Sequence, residues 1–145
     1  MLIMTEKTMP DFEVNIKIKL SALWTSVTFF YIYGDYFELY IPGKVQGLVS
    51  GVNMLDSPLK LFFASLLLAI PASMVFLSVL LNSRLSRGLN ITVGIFFTMV
   101  TTMVGIASIG SWMAFSYVFY AGLESIITST IIWYAWSWPK QLDKV

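Results

Sequence analysis

The chain has 145 residues, a net charge of +1, 57% hydrophobic residues and 12% charged ones. A soluble domain carries about 25% charged residues, so this chain holds roughly half the usual complement. With neither Cys nor His, disulfides, thiol redox chemistry and Cys-ligated metals are excluded, and the commonest metal ligand and near-neutral proton shuttle are missing.

The mean hydropathy is +0.78, and the apolar residues gather into four blocks, each approaching the ~20 residues that cross a bilayer core. The expected fold is all-α: one polytopic membrane domain over residues 1–145, an antiparallel four-transmembrane-helix bundle in the lipid bilayer. Its expected spans are about 17–40, 58–81, 89–109 and 112–136, with an outer connection at 41–57. No basic cluster is dense enough for nucleic acid or a polybasic lipid switch. No cofactor is implied.

Met1 to Lys19 mixes acids and bases and lacks the order of a cleavable signal, so the first span is expected to act as an uncleaved insertion signal. From Asp11 to Leu20 polar and apolar residues alternate. That period argues for a strand, but an edge strand at a membrane surface lacks a partner, and an interfacial lead-in becoming helix near Lys17 is preferred.

The first span carries Lys17, Ser21, Trp24, Thr28, Tyr31, Asp35 and Glu38 at alternating steps of four and three, one side of a helix. A carboxylate in hydrocarbon is costly, so this stripe is expected to face protein or a water-filled cavity. Pro42-Gly43 ends the span. The connection that follows reads as a short surface helix, a re-entrant turn or a plain loop.

Asp56 or Ser57 caps the second span and Pro58 suits its first turn, while Pro71 near its middle predicts a kink. Ser65, Ala69 and Ala72 form a small-residue side suited to close helix approach. Residues Asn82 to Asn90 read as a tight polar turn. The third span carries Gly94, Thr98, Thr101, Gly105 and Ser108 on one side, the usual material of a membrane helix interface. Gly110 and Ser111 allow only an antiparallel hairpin into the fourth span. That span carries Tyr117, Tyr120, Glu124 and Thr128 on one side and Trp133, Trp136 and Trp138 at its end, where indoles favour headgroups.

Lys7, Lys17, Lys19, Arg84, Arg87, Lys140 and Lys144 fall on one side of this scheme and only Lys44 and Lys60 on the other. The positive-inside rule then places both termini in the cytoplasm. Asn90-Ile91-Thr92 matches a glycosylation sequon but lies on that cytoplasmic side.

Glu124, near the midpoint of span four, is the most informative residue, because insertion scales charge roughly 2.5–3.5 kcal/mol for an ionised group there. It reads as a proton-binding or cation-binding group in a polar cavity, or as a neutral acid fixing helix packing. Asp35 and Glu38 lie one turn apart in the outer half of span one. With spans one and four adjacent, Asp35 and Glu124 line one cavity, where two carboxylates titrate as a coupled pair. Tyr31, Tyr117 and Tyr120 are the expected donors to them, and Thr128 completes the set. Tyr33, Tyr36 and Tyr40 read as interface aromatics, Thr98, Thr101 and Thr102 as packing groups. Lys60 reads as a snorkelling base or a counter-ion for Asp35 or Glu38.

The run from Lys19 to Trp24, the run from Tyr31 to Phe37 and Pro42-Gly43 resemble a family of uncharacterised bacterial four-span membrane proteins, similar in layout to DoxX-like proteins. The resemblance implies a four-helix fold in the bacterial inner membrane. Small multidrug exporters also have four spans and a membrane acid, but theirs lies in the first span at mid-depth.

The leading expectation is a non-enzymatic membrane protein whose intramembrane cavity binds or translocates protons or a small cationic or polar ligand. The second is a structural or accessory subunit of a membrane complex, sensitive to bulky residues at Gly94 and Gly105. The third is a membrane enzyme using Asp35 and Glu124 as an acid–base pair. A bundle this small is also a candidate for self-association.

Overall fold

Helix starts follow capping side chains in the computed structural model, which describes residues 12–110 and 114–139. Asn15 accepts a hydrogen bond from the Lys17 amide and opens α1 (Ile16–Glu38). Ser57 accepts from the Lys60 amide at the head of α3 (Pro58–Leu80), with Pro58 in its first turn. Asn82 accepts from the Leu85 amide to start α4 (Ser83–Ala107). Each side-chain oxygen satisfies one of the free N–H groups that a helix start leaves. Between α1 and α3 lies α2 (Lys44–Ser50), held between Gly43 and Gly51, whose φ of 82° and 75° place both in the left-handed region that favours glycine. The last helix is α5 (Ala114–Trp136).

The fold is all-α. Among the described residues no strand forms, and the alternating lead-in becomes helix at Ile16. Of the three alternatives for the connection at 41–57, the short helix is the one that forms. Ser111 of the expected hairpin turn, the expected start of span four at Trp112, and Lys7, Lys140 and Lys144 of the basic count lie outside the described residues.

Two expectations are corrected. The stretch from Ser83 to Asn90 is not a turn but the first two turns of α4, leaving Leu81 and Asn82 to join α3 to α4. The Ser65, Ala69 and Ala72 side of α3 is exposed rather than turned into the core. Instead α3 turns Leu67, Pro71, Met74 and Ser78 inward, the same one-face periodicity carried by larger residues.

Helix α1 packs on α3 and α5, and α4 packs most extensively on α5. Lys17 donates to the carbonyls of Val79 and Leu81 at the end of α3, and Arg87 donates to the Trp136 carbonyl at the end of α5 at 3.1 Å. Both pairs therefore run antiparallel, and both bases meet the orphan carbonyls of a helix C-terminus.

The packed core lies toward this basic end, around Leu20, Trp24, Met74, Phe97 and Ile131. Outward, α3 shows Leu59, Phe62, Phe63, Leu66 and Phe76, an apolar surface suited to hydrocarbon rather than water. Three helices are long and apolar enough to cross a membrane: Pro58–Leu80, Ser83–Ala107 and Phe115–Trp136. That is the mark of a multi-pass membrane protein. Helix α1 is not among them, because its hydroxyls, Trp24 and Asp35 dilute its apolar content.

Candidate functional site

Away from the basic end a cavity of about 190 Å³ lies between α1, α4 and α5. From α1 it takes Tyr31 and Asp35, and from α5 Tyr117, Tyr120 and Glu124. Steps of four along α1 and of three or four along α5 put each set on one helix side. Val100 and Val104 of α4 supply the apolar wall. The floor is aromatic: the Tyr31 ring lies 6.0 Å from Phe97, which meets Trp24 edge-on at 6.2 Å.

Glu124 is 6% exposed. No described group hydrogen-bonds its carboxyl, whereas its backbone carbonyl accepts from Thr128 Oγ1 at 2.9 Å. The Tyr31 hydroxyl is buried without a hydrogen-bond partner, and Tyr31 lines the same cavity as Glu124. Asp35 stands on the same cavity, at its exposed rim. Unpaired polar groups out of water cost free energy that a partner removes. The Tyr31 hydroxyl is one such group, and with the Glu124 carboxyl on the same cavity it makes a place where a ligand proton, cation or water completes the bonding.

Five of the seven expected site residues, Glu124, Asp35, Tyr31, Tyr117 and Tyr120, meet at this cavity. The other two do not line it. Glu38 pairs with Lys44 of α2 and stands near Tyr117 at the mouth. Thr128 is fully buried in the α4–α5 seam, where Thr98 Oγ1 donates to it at 2.7 Å. Lys60 pairs with Asp56 at 2.6 Å rather than with Asp35 or Glu38. Tyr31 was an expected donor to the carboxylates, yet among the described residues its hydroxyl reaches none.

Lys44 is the residue that sequence reading missed at the mouth. Its signal was present: the only base between Glu38 and Asp56. A second buried polar cluster was missed at the basic end. Trp24 Nε1 donates to Asn90 Oδ1 at 2.7 Å and Ser78 Oγ donates to the same oxygen at 3.2 Å. Asn90 Nδ2 donates to the Ser86 carbonyl at 2.8 Å and to Ser86 Oγ at 3.4 Å. Every donor and acceptor of that amide is used.

A family model described as "Family of unknown function (DUF6326)" matches residues 8–144. The chain belongs to that family. The match spans all five helices of this DUF6326 protein and both polar clusters, and agrees with the resemblance to an uncharacterised family. Neither a curated protein nor a solved structure matches the chain. Among the described residues no three His, Cys, Asp or Glu side chains gather as a metal site.

Proposed function

We propose that this is a four-span membrane protein whose cavity binds or passes protons or a small cationic or polar ligand. The observation that carries the reading is the Glu124 carboxyl, buried yet unpartnered, facing a cavity it shares with Asp35 and the unpartnered Tyr31 hydroxyl. A packing acid would use its hydrogen-bonding capacity on neighbouring helices, as Asn90 does. An intramembrane acid aimed into a cavity is by default a functional group.

Helix α1 serves as the fourth span. Its 23 residues reach about 34 Å at ~1.5 Å per residue, enough for a ~30 Å hydrocarbon core. Its polar side turns inward, with Ser21 donating to the Val75 carbonyl of α3 at 2.7 Å and Trp24 to Asn90. The lipid side is left to Ile18, Phe29 and Ile32, all exposed. Lys17, Lys19, Arg84 and Arg87 gather at one end, so the positive-inside rule puts that end, and both termini, in the cytoplasm. The cavity then opens to the outer face of a bacterial inner membrane.

The accessory-subunit reading draws on the α4–α5 seam, where small residues and hydroxyls are satisfied within the chain. It does not use the unpartnered Glu124, and it stands second.

The chain contains no Cys, so single-cysteine variants report accessibility directly. Ser116→Cys, in the cavity lining, should react in intact cells with a membrane-impermeant cationic thiol reagent, and Thr128→Cys should not. Equal labelling of both, or labelling of neither, contradicts a water-accessible outward cavity.

A further inference from the structure

We infer that the ligand of this cavity is an organic ammonium ion held by Glu124 and a cage of aromatic rings, a reading that rests on the cation-site proposal above and narrows it. The cavity combines one buried, unpartnered carboxyl with three tyrosines and Phe37 in its lining. Aromatic faces attract cations most strongly where water is displaced, and quaternary ammonium groups are the usual guests of such cages.

Two of the rings already rest on neighbouring aromatics. Tyr120 leans on Phe30 at 6.0 Å and on Phe119 at 5.7 Å, and Tyr31 on Phe97 at 6.0 Å. A cage that needs no reordering loses less entropy on binding.

The remaining walls, Val100, Val104 and Ala121, suit alkyl groups. The cavity of about 190 Å³ is well beyond the size that holds a single water. A bare inorganic cation is matched less well. Hard divalent ions take about six or more oxygens in regular geometry, and here two carboxylates on separate helices face apolar walls.

Lys44 completes the arrangement. Its ammonium pairs with Glu38 at the rim. Glu38 is therefore already engaged by a cation of the chain's own, and the cavity-lining carboxyls of Glu124 and Asp35 are left for the ligand.

The test is isothermal titration calorimetry on the full chain in lipid nanodiscs. The probes are choline, its neutral isostere 3,3-dimethyl-1-butanol, and sodium chloride. Choline should bind and the other two should not. Glu124→Gln should abolish the signal. Tyr120→Phe, which keeps the ring, should bind within about twofold of the parent, and Tyr120→Leu should bind roughly tenfold more weakly. Tyr117→Leu takes its place if Tyr120→Leu does not fold.

Binding of the neutral isostere as tightly as choline, or unaltered binding in the leucine variant, overturns the aromatic ammonium cage. Silence toward choline with a Glu124 carboxyl that still titrates in the infrared also overturns it, while leaving the proton or cation site standing. Silence in both measurements removes the site altogether.

Discussion

Glu124 and Asn90 are both buried polar side chains in this bundle, and their surroundings assign them opposite work. Asn90 is fully enclosed and spends its whole amide on Trp24, Ser78 and Ser86. Glu124 is nearly as enclosed, and its carboxyl meets open space. Replacing Glu124 by Gln removes no hydrogen bond from the fold, so Glu124→Gln should keep the parent melting temperature within a few degrees while losing ligand or proton binding. Loss of folding together with binding contradicts the assignment. Asn90→Ala strands the Trp24 indole N–H and two serines, and a buried donor without a partner costs about 1–3 kcal/mol. Its melting temperature should drop clearly, with cavity binding retained. Glu124 was legible in the sequence because an acid at mid-span has few structural explanations. Asn90 was not, because Arg84, Arg87 and Gly88 around it read as a turn, and only tertiary partners turn that stretch into helix.

At the scale of the elements, α4 and α5 form a seam of small residues and hydroxyls. A Cβ on Gly94 would lie 2.8 Å from Ile132 Cγ1, and one on Gly105 would lie 3.0 Å from Ala121 Cβ. Thr101 and Ser125 bridge the same seam at 3.0 Å. The stripe on α4 was readable from its four-three spacing, including the two glycines. Gly94→Val and Gly105→Val should each destabilise the protein by about 1–3 kcal/mol, the usual cost of overpacking. Gly105 should be the less tolerant, since Ala121 has no flexible side chain to move aside. Gly122 meets nothing within 4 Å, and Gly122→Ala should melt like the parent; equal losses at all three glycines would contradict a close seam. The small side of α3 misled because small residues permit close approach without dictating which face takes it. There the bulkier Leu67, Pro71 and Met74 face inward.

At the scale of the whole molecule, the bundle is tight at its basic end and open at the other. Lysine and arginine meet helix C-termini at the first, and the ion pairs Glu38–Lys44 and Asp56–Lys60 lie at the second. Composition alone made the all-helical membrane class legible. The membrane role of α1 was harder to read, because its inward stripe lowers the average that marks a span. If α1 crosses the bilayer, cysteines at Glu13 and Gln46, both exposed, should label from opposite faces of the membrane; labelling from the same face contradicts a four-span chain. The cavity itself is lined jointly by α1, α4 and α5, a feature no single helix pattern encodes. The central claim is that its buried acid is open to ligand, and infrared difference spectroscopy of the lipid-reconstituted protein across pH tests it most directly, with Glu124→Gln as the control. The account predicts a carboxyl band that titrates, vanishes in the control and shifts when a cationic ligand is added. A band that stays protonated and unmoved at every pH would make Glu124 a packing acid and contradict it.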